Sequence, residues 1–179
     1  WECKIIDSET GKEVERGKAG ILYVKGPGVM KEYFNNPEAT AEVLHDGWLD
    51  TGDVAMQDAE GFYYLVDRAK DVIVCGGENL YPVQIEDFLR KNDKINDVAV
   101  IGLPDKRLGE IAGAVIQLKE GMTASEEEIN EFCLELPRYK RPRKIIFAPV
   151  PRNPTGKIEK PKLRKMYGQE HLVAFENEG

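Results

Sequence analysis

Residues 67–71 read Asp-Arg-Ala-Lys-Asp, which places four charged residues within five positions between two apolar runs. Upstream, residues 1–66 contain short strand-like segments separated by glycine-containing and charged turns. Downstream, residues 71–179 combine strand-like runs with helix signals, as expected for a small central β-sheet flanked by helices. The sequence therefore predicts an α+β fold whose two parts meet at a charged connection, residues 67–70.

The upstream part is predicted to contain strands and one short helix. Asn36 is a favourable N-cap, and Pro37 fits the first position of a helix that runs to about Leu44. Strands are predicted at Glu2–Asp7, Gly20–Val24 and Gly61–Val66. Because so few elements are too short to close a core alone, residues 1–66 are interpreted as the strand-rich end of a larger domain.

The downstream part has two helix signals among its strands. Pro82 opens a predicted helix with one apolar face. Thr123 and Glu126 fit a capping box for a second helix. The predicted strands are Asp71–Val74, Val98–Ile101 (ended by Gly-Leu-Pro at 102–104), Ala112–Leu118 and Lys144–Ala148.

The composition is that of a soluble globular protein. Of 179 residues, 41% are hydrophobic and 32% are charged, and no apolar run approaches the roughly 20 residues needed to cross a bilayer. Cys3, Cys75 and Cys133 are odd in number and far apart, and the two histidines offer no metal-ligand spacing. We therefore expect no disulfide framework and no metal site, and we predict a cytoplasmic location.

A net charge of −7 hides a local basic segment. Residues 138–165 hold eleven Lys or Arg residues against one acidic residue, Glu159. Such an excess favours a polyanionic partner, whether a nucleotide, a coenzyme phosphate, a nucleic acid or an anionic lipid. A solvated basic surface without a partner is the alternative interpretation.

Three charged residues near the boundary have side chains suited to a nucleotide. Asp53, in the Thr-Gly-Asp sequence at 51–53, has two oxygens that can accept hydrogen bonds from both hydroxyls of a ribose. Arg68 can reach a ribose or phosphate as a bidentate donor. Lys70 suits a pivot, because an exposed charged residue can change its backbone angles without disturbing a core. Taken singly, each motif also fits an ordinary connection between strands.

Gly76 and Gly77 lead from a strand towards the helix at Pro82. Glycines there allow a backbone edge to line a narrow channel or to contact a ligand closely, although a plain strand-to-helix connection explains them equally well. Their spacing does not match the GxGxxG fingerprint of dinucleotide-binding proteins.

The basic segment contains two further candidates for anion binding. Tyr139 could stack on an adenine while Arg141 and Arg143 hold phosphates, although the same residues would suit RNA or membrane headgroups. Lys157 follows Asn-Pro-Thr-Gly at 153–156, which predicts a type I turn. A lysine presented from that turn could bridge a carboxylate and the α-phosphate of ATP, and a plain surface turn is the alternative.

Together these motifs resemble the adenylate-forming superfamily, which comprises acyl- and aryl-CoA synthetases, nonribosomal-peptide adenylation domains and luciferases. The resemblance extends over nearly the whole chain, and Glu32 stands where the family more usually has glycine. The matching stretches are Gly26–Tyr33 with Asn36–Thr40, Gly47–Asp53, Asp67–Asp71, Gly76–Glu86 and Pro154–Ile158.

The resemblance implies a role in the ATP-dependent step for four residues. Asp53 and Arg68 would bind the ribose of ATP. Lys70 would be the hinge about which the small domain rotates between the two half-reactions. Lys157 would be the catalytic lysine of the adenylation step.

The resemblance also implies a thiol site. Gly76 and Gly77 would lie beside the route of the thiol to the acyl-adenylate. Tyr139, Arg141 and Arg143 match positions that contact the CoA nucleotide in some members.

The implied reaction converts a carboxylate and ATP to acyl-AMP and pyrophosphate, and then acyl-AMP and CoA to acyl-CoA and AMP. ATP, CoA and Mg²⁺ would take part, with Mg²⁺ bound mainly by an N-terminal part that this chain lacks. The sequence of residues 76–82 and the basic segment 138–144 most resemble those of fatty-acid or medium-chain acyl-CoA synthetases. These residues are not expected to select the carboxylate, because the pocket that would bind it lies upstream.

The resemblance assigns residues 1–66 to the C-terminal end of the large adenylation domain, residues 67–70 to the hinge, and residues 71–179 to a small C-terminal lid domain. A phosphate-binding loop with its lysine and an acyl pocket, which normally lie upstream, are not found. The missing N-terminal domain of the same chain is therefore an expected partner, and the fragment alone is expected to be inactive.

Three alternatives to this interpretation are left open. The chain could belong to an adenylation domain that loads a carrier-protein thiol, or it could be a stand-alone lid acting on a separate large domain. It could instead be a non-catalytic polyanion-binding module. The overall acidity argues against nucleic acid as a partner, and peripheral contact with a membrane stays open.

Overall fold

The computed structural model describes residues 1–176, with side chains described for residues 1–168. The chain divides into two compact units, Trp1–Lys70 and Asp71–Gly179, and each has its own β-sheet. Both sheets are mainly antiparallel, with short helices beside them, which confirms the predicted α+β class. Within the described residues, no helix has both the length and the apolar character needed to cross a membrane.

The first unit is a five-stranded sheet with one short helix. Its elements are β1 (Glu2–Ile6), β2 (Ala19–Lys25), α1 (Pro37–Val43), β3 (Leu44–His45), β4 (Trp48–Gln57) and β5 (Tyr63–Arg68). Strand β4 is the centre of the sheet, because it pairs antiparallel with β2, β3 and β5. The predicted strand at residues 61–66 is displaced towards the boundary, since β5 runs through Arg68.

The predicted cap of α1 is confirmed. The side chain of Asn36 accepts a hydrogen bond from the backbone N–H of Ala39 at 3.0 Å, and Pro37 occupies the first turn. The helix ends at Val43, because the chain turns into the extended conformation at Leu44 and pairs with β4.

The second unit begins with a 3₁₀ turn that spans the boundary at Ala69–Asp71. Its elements are β6 (Ile73–Cys75), β7 (Glu78–Leu80), α2 (Pro82–Leu89), β8 (Ile95–Asp105), β9 (Gly109–Leu118), α3 (Glu126–Phe132), β10 (Lys144–Phe147) and α4 (Lys160–Glu176). Strand β9 organises the sheet: it pairs antiparallel with β8 along its length, parallel with β10, and antiparallel with β6 at Gly109.

The core of the second unit lies on both faces of its sheet. On β8, Val98 and Val100 join the cluster that includes buried aliphatic residues of α2 and α3. The intervening Ala99 and Ile101 join a second cluster that includes Leu163 of α4. This alternation is the period of two that a strand buried on both faces requires.

Four local predictions for the second unit were wrong. The strand predicted at 98–101 does not end at Gly102, because β8 continues to Asp105 in full pairing with β9. Gly102 is needed for close approach rather than for a turn, since a Cβ there would lie 2.7 Å from Oε1 of Glu110. The predicted capping box is displaced by two positions: Ser125 and Glu128, rather than Thr123 and Glu126, exchange the two hydrogen bonds.

The other two corrections concern elements that the sequence did not reveal. The chain after Gly77 forms β7 before α2 begins, so the glycines join two strands and do not lead directly into the helix. The sequence shows two helix signals in this part, but residues 160–176 form a further helix, α4; residues 177–179 lie outside the described residues. Of α4, Leu163 lies in the second core cluster and Tyr167 packs against it. Because basic residues surround them in the sequence, no helical apolar pattern is apparent there.

Candidate functional site

Residues 51–53 form a bulge in β4. Between Asp50 and Val54, β4 has two residues more than the strand β2 that pairs with it. Gly52 takes a φ of 68°, and its N–H donates to Oδ1 of Asp50 at 2.8 Å. The Thr51 hydroxyl donates to the carbonyl of Leu22 at 2.8 Å. Bulges of this kind re-aim side chains and are common beside active sites.

The bulge brings the first two predicted site residues together. Asp53 lies directly opposite Arg68 on the neighbouring strand β5, and the two side chains form an ion pair through Nη1 and Oδ1. The same nitrogen reaches the carbonyl of Thr51 at 3.4 Å. The side chains of Arg68 and Asp53 are 54% and 25% exposed, so both can meet a solute. The pair can offer a ligand a carboxylate and a guanidinium side by side.

Lys70 is the last residue of the first unit and is exposed. It lies in the 3₁₀ turn Ala69–Asp71, between β5 and β6. The residue after it is held: Oδ1 of Asp71 accepts from Nη1 of Arg164 in α4 at 2.9 Å. The second unit is thus anchored from its first residue, directly after the predicted pivot.

Gly76 and Gly77 form the turn of the β6–β7 hairpin. Their φ values of 60° and 88° give the two successive positive angles that a type I′ turn requires. The N–H of Gly76 donates to the carbonyl of Leu108 at 2.8 Å, and a Cβ on Gly76 would lie 3.0 Å from the Leu108 side chain. Both glycines are exposed and leave a bare backbone edge at this turn.

The predicted CoA-contacting residues follow α3 in the chain, and they differ in exposure and in hydrogen bonding. Tyr139 is exposed within a 3₁₀ turn, and Arg143 is exposed at the entry to β10. Arg141 is half-buried, and its Nε and Nη2 donate to the carbonyls of Leu136 and Leu134 at 2.9 and 2.8 Å. The Arg141 guanidinium therefore also orders the backbone that precedes it.

Lys157 is exposed on a tight loop. The carbonyl of Asn153 accepts from the N–H of Gly156 at 2.8 Å, which confirms the predicted turn at 153–156. The Asn153 side chain closes the loop from inside, because its Oδ1 accepts from the N–H groups of Thr155 and Lys157 at 3.1 and 2.9 Å. The ammonium of Lys157 is thereby presented from a fixed backbone.

A pair that the sequence did not reveal holds the start of this loop. Arg152 forms a bidentate contact with Asp97 of β8: Nε lies 2.7 Å from Oδ2, and Nη2 lies 2.9 Å from Oδ1. Its third nitrogen, Nη1, donates to the carbonyl of Gly156 at 2.6 Å. Burial alone would raise the pKa of Asp97, but hydrogen bonds from Arg152 and from the Val98 N–H outweigh it and lower that pKa. The same contact raises the pKa of Arg152.

A buried ion pair holds the end of the loop. Nζ of Lys160 lies 2.7 Å from Oε1 of Glu86 in α2, and that oxygen also accepts from the N–H of Val100. These contacts join positions far apart in the sequence, so no local pattern could have identified them. In the sequence, the one indication of these ion pairs is that charged residues stand between apolar ones in α2 and β8.

The described residues contain no group of three or more His, Cys, Asp or Glu side chains that could hold a metal ion. The candidate residues instead form separate sets within each unit. Asp53 and Arg68 meet on the first sheet, whereas the glycine turn, the 139–143 segment and the Lys157 loop belong to the second unit.

Comparison with known proteins finds a family model and several relatives that match this chain. Residues 84–157 match the family model described as AMP-binding enzyme C-terminal domain. The chain is 46% identical over 164 residues to the long-chain-fatty-acid–CoA ligase FadD13 of Mycobacterium tuberculosis, a match covering 90% of this chain and 32% of the relative. It is 41% identical over 174 residues to the mitochondrial medium-chain acyl-CoA ligase ACSF2 of Mus musculus, covering 96% of this chain and 28% of the relative.

Solved structures give the same result. The crystal structure of ATP-bound MatB from Rhodopseudomonas palustris superposes with a TM-score of 0.86 at 36% identity, covering 95% of this chain and 34% of that chain. The chain thus spans about one third of the length of the relatives it matches. The resemblance to the adenylate-forming superfamily inferred from the motifs is confirmed: residues 84–157 match the AMP-binding enzyme C-terminal domain, and acyl-CoA ligases are similar to this chain over 90% or more of its length.

Proposed function

We propose that this chain is the C-terminal part of an ATP-dependent acyl-CoA synthetase that acts on fatty acids. The observation that carries the proposal is the presentation of Lys157 on a loop fixed at both ends, in a chain 46% identical to a long-chain-fatty-acid–CoA ligase. Carboxylate and ATP would give acyl-AMP and pyrophosphate, and CoA would then displace AMP to give acyl-CoA.

Lys157 is the proposed catalytic residue of the adenylation half-reaction. Negative charge develops around the α-phosphate as the carboxylate oxygen attacks and pyrophosphate leaves. A preorganised ammonium stabilises that charge without reorganising at the moment of reaction. The hydrogen bond from the Lys157 N–H to Asn153 supports this role, because it fixes the backbone from which the ammonium extends.

Asp53 and Arg68 are the proposed ribose-binding pair. The carboxylate of Asp53 can accept from the two ribose hydroxyls, and the neighbouring guanidinium of Arg68 holds it in place. Their shared ion pair and their partial exposure support this assignment.

Lys70 is the proposed hinge between the large adenylation domain, to which residues 1–66 would belong, and the lid formed by residues 71–179. Its exposure and its position at the boundary of the two compact units support a pivot there. The first unit buries few of its described hydrophobic residues, namely Ile5, Val54 and Ala55, while Phe62 and Leu65 are exposed. Such a thin core supports the proposal that the first sheet packs against further chain in the complete enzyme.

The second half-reaction would use the other candidates. Gly76 and Gly77 are proposed to line the route of the CoA thiol, because their bare backbone edge admits a narrow substituent. Tyr139 and Arg143 are proposed to contact the CoA nucleotide. Arg141 is proposed to act mainly by ordering the backbone that precedes Tyr139, since two of its nitrogens donate to the carbonyls of Leu136 and Leu134. Mg²⁺ coordination is assigned to the remaining part of the enzyme.

The test is carboxylate-dependent ATP–pyrophosphate exchange by the full-length protein, across acetate, medium-chain, long-chain and aryl acids. We expect exchange with fatty acids, and we expect Lys157→Ala to lower its rate by about 10²- to 10³-fold. Lys162→Ala is the matched control, because Lys162 is an exposed lysine five positions away that forms only a 3.9 Å contact with Glu159. Exchange that persists without Lys157, or that no acid supports, would refute the proposal.

The acceptor is tested separately. With the acyl-adenylate supplied, CoA should consume it faster than a phosphopantetheinylated carrier protein does; the reverse preference would favour an adenylation domain that loads a carrier. The isolated chain of 179 residues is expected to form no thioester, because ATP and acyl pockets are proposed to lie upstream. Salt-sensitive binding to nucleic acid with no exchange activity would instead favour a polyanion-binding module.

A further inference from the structure

The Lys157 loop is attached to the sheet of the second unit at its entry. The N–H of Val150 donates to Oε1 of Gln117 on β9 at 2.9 Å, and Arg152 donates two hydrogen bonds to the carboxylate of Asp97 on β8. Gln117 and Asp97 are register partners across these two strands, next to an irregularity in β8. One spot on the sheet therefore holds both residues that lead into the loop.

Arg152 also reaches across the loop it enters. Its Nη1 donates to the carbonyl of Gly156, the residue directly before Lys157, and its backbone forms a bridge with Ile158 directly after. Side-chain contacts of Arg152 thus connect the sheet on one side with the peptide that precedes Lys157 on the other.

We infer that Arg152 and Asp97 are positioning residues for Lys157, which they hold in the geometry required for adenylation. Asp97 fixes the guanidinium plane through two hydrogen bonds, and the remaining edge of that plane fixes the Gly156 carbonyl. The inference rests on the proposed function for its catalytic consequence, whereas the mechanical coupling stands on the contacts alone.

A guanidinium is required because the three contacts come from three nitrogens of one rigid fork. An ammonium at position 152 would keep the charge, but as a point donor it could not hold two carboxylate oxygens and a carbonyl in fixed directions. Arg152→Lys is therefore the informative variant, and Asp97→Asn is its counterpart on the strand. Misplacement of a reacting group by about 1 Å can cost about 100-fold in rate.

The first measurement uses the chain itself and no substrate. The N–H of Lys157 donates to Asn153 inside the loop, so its hydrogen exchange reports whether the loop is closed. We expect Arg152→Lys and Asp97→Asn to speed exchange at Lys157 by about 10-fold or more, because a charge-assisted contact is lost. Exchange at Lys157 should rise by a larger factor than exchange in β9, which distinguishes a local loosening of the loop from a loss of global stability.

The second measurement separates the half-reactions in the full-length protein. Arg152→Lys should lower kcat for ATP–pyrophosphate exchange by about 10- to 100-fold with little change in the KM for ATP. Thioester formation from supplied acyl-adenylate should be unaffected. In the background of Lys157→Ala, Arg152→Lys should cause no further loss, because the two residues would act as one unit.

Lys94→Gln is the matched control, since it removes another ion pair of the same unit, the 2.9 Å contact with Glu128. It should leave both measurements unchanged. Three results would each overturn the inference. They are an equal loss of rate in both half-reactions, a further loss of rate when Arg152→Lys is added to Lys157→Ala, and an unchanged rate of hydrogen exchange at the Lys157 amide. If the unaltered enzyme shows no ATP–pyrophosphate exchange, the proposed function is refuted, and with it the effect of Arg152 on catalysis. Hydrogen exchange at the Lys157 amide would still test whether Arg152 and Asp97 hold the loop.

Discussion

Lys160, the first residue of α4, forms a buried ion pair with Glu86, in the middle of α2. Nζ and Oε1 are 2.7 Å apart, and the two side chains are 10% and 4% exposed. The same carboxylate oxygen accepts from the N–H of Val100 at 2.8 Å, so the pair joins both helices to β8. Since Lys160 follows the Lys157 loop by three residues, this contact also fixes where the loop ends.

Removing one member of this pair should be strongly destabilising. Lys160→Met keeps the length of the side chain but removes the cation 2.7 Å from the buried Glu86 carboxylate, which retains a longer contact of 3.9 Å with Arg90. The loss should cost about 3–5 kcal/mol in the free energy of unfolding. Urea unfolding measures the change. Lys162→Met, at an exposed site on the same helix, should cost less than about 1 kcal/mol.

The double variant Glu86→Gln with Lys160→Met tests the cause. Because it leaves no buried charge, it should recover much of the stability lost in Lys160→Met. A loss equal to the sum of the two single variants would contradict this explanation and would point to packing around the lysine stem instead.

The pH dependence of stability should report on Asp97. Its pKa is lowered because hydrogen bonds from Arg152 and Val98, and the charges of Arg152 and Arg90, outweigh the effect of burial. The folded state therefore binds this proton less tightly than the unfolded state does. The stabilisation is complete above the ordinary value of about 3.9, and it is lost as pH falls through the lowered folded-state pKa.

Asp97→Asn should remove this contribution. We expect the variant to be less stable than the unaltered chain at pH 6, and we expect the difference to shrink as the pH is lowered below about 4. Urea unfolding at intervals between pH 6 and pH 3 measures it. A difference that stays constant over this range would show that the carboxylate charge of Asp97 is not its source.

Short-range patterns accounted for much of the fold. The Asn36 cap, the Pro82 helix start and the apolar strands depend on neighbours within a few positions, which a sequence displays directly. Asp53 and Arg68 were also found from the sequence, because each lies in a short motif whose order resembles that of the family.

Other features depended on tertiary contacts and could not be read locally. Gly102 was interpreted as a strand end, but its role is to make room for Glu110 across the sheet. The helix α4 was missed because its stability comes from placing Leu163 on β8 rather than from a continuous apolar stripe. Arg152 was counted only as part of the basic segment, since its partner lies 55 positions away.

Cys133 should be chemically inert in the folded chain. Burial raises the pKa of its thiol to about 11, although the nearby Arg141 guanidinium opposes the shift. At pH 8 only about one molecule in a thousand would then carry the reactive thiolate. Cys3 and Cys75 are half-buried and should react first.

Iodoacetamide labelling followed by peptide mass spectrometry measures this order. In the native chain, modification should appear at Cys3 and Cys75 while Cys133 stays unmodified, and in urea all three should react. Native labelling of Cys133 at the rate of Cys75 would mean that the turn Cys133–Glu135 opens readily, contrary to the packing of Cys133 in the core.

The contact between Asp71 and Arg164 should control access to the predicted hinge. Nη1 of Arg164 lies 2.9 Å from Oδ1 of Asp71, directly after the exposed Lys70. Asp71→Asn removes the charge from this partly buried pair, which we expect to favour local opening by about 1 kcal/mol, or about fivefold in population. Because trypsin needs an opened segment, cleavage after Lys70 should become about fivefold faster.

Cleavage after Arg16, an exposed site in the first unit, provides an internal reference in the same digest. Arg164→Gln should accelerate cleavage after Lys70 to a similar degree, since it breaks the same contact from the other side. If the ratio of the two cleavage rates is unchanged in both variants, α4 does not restrain the start of the second unit. If it rises in both, the contact between Asp71 and Arg164 restrains the start of the second unit.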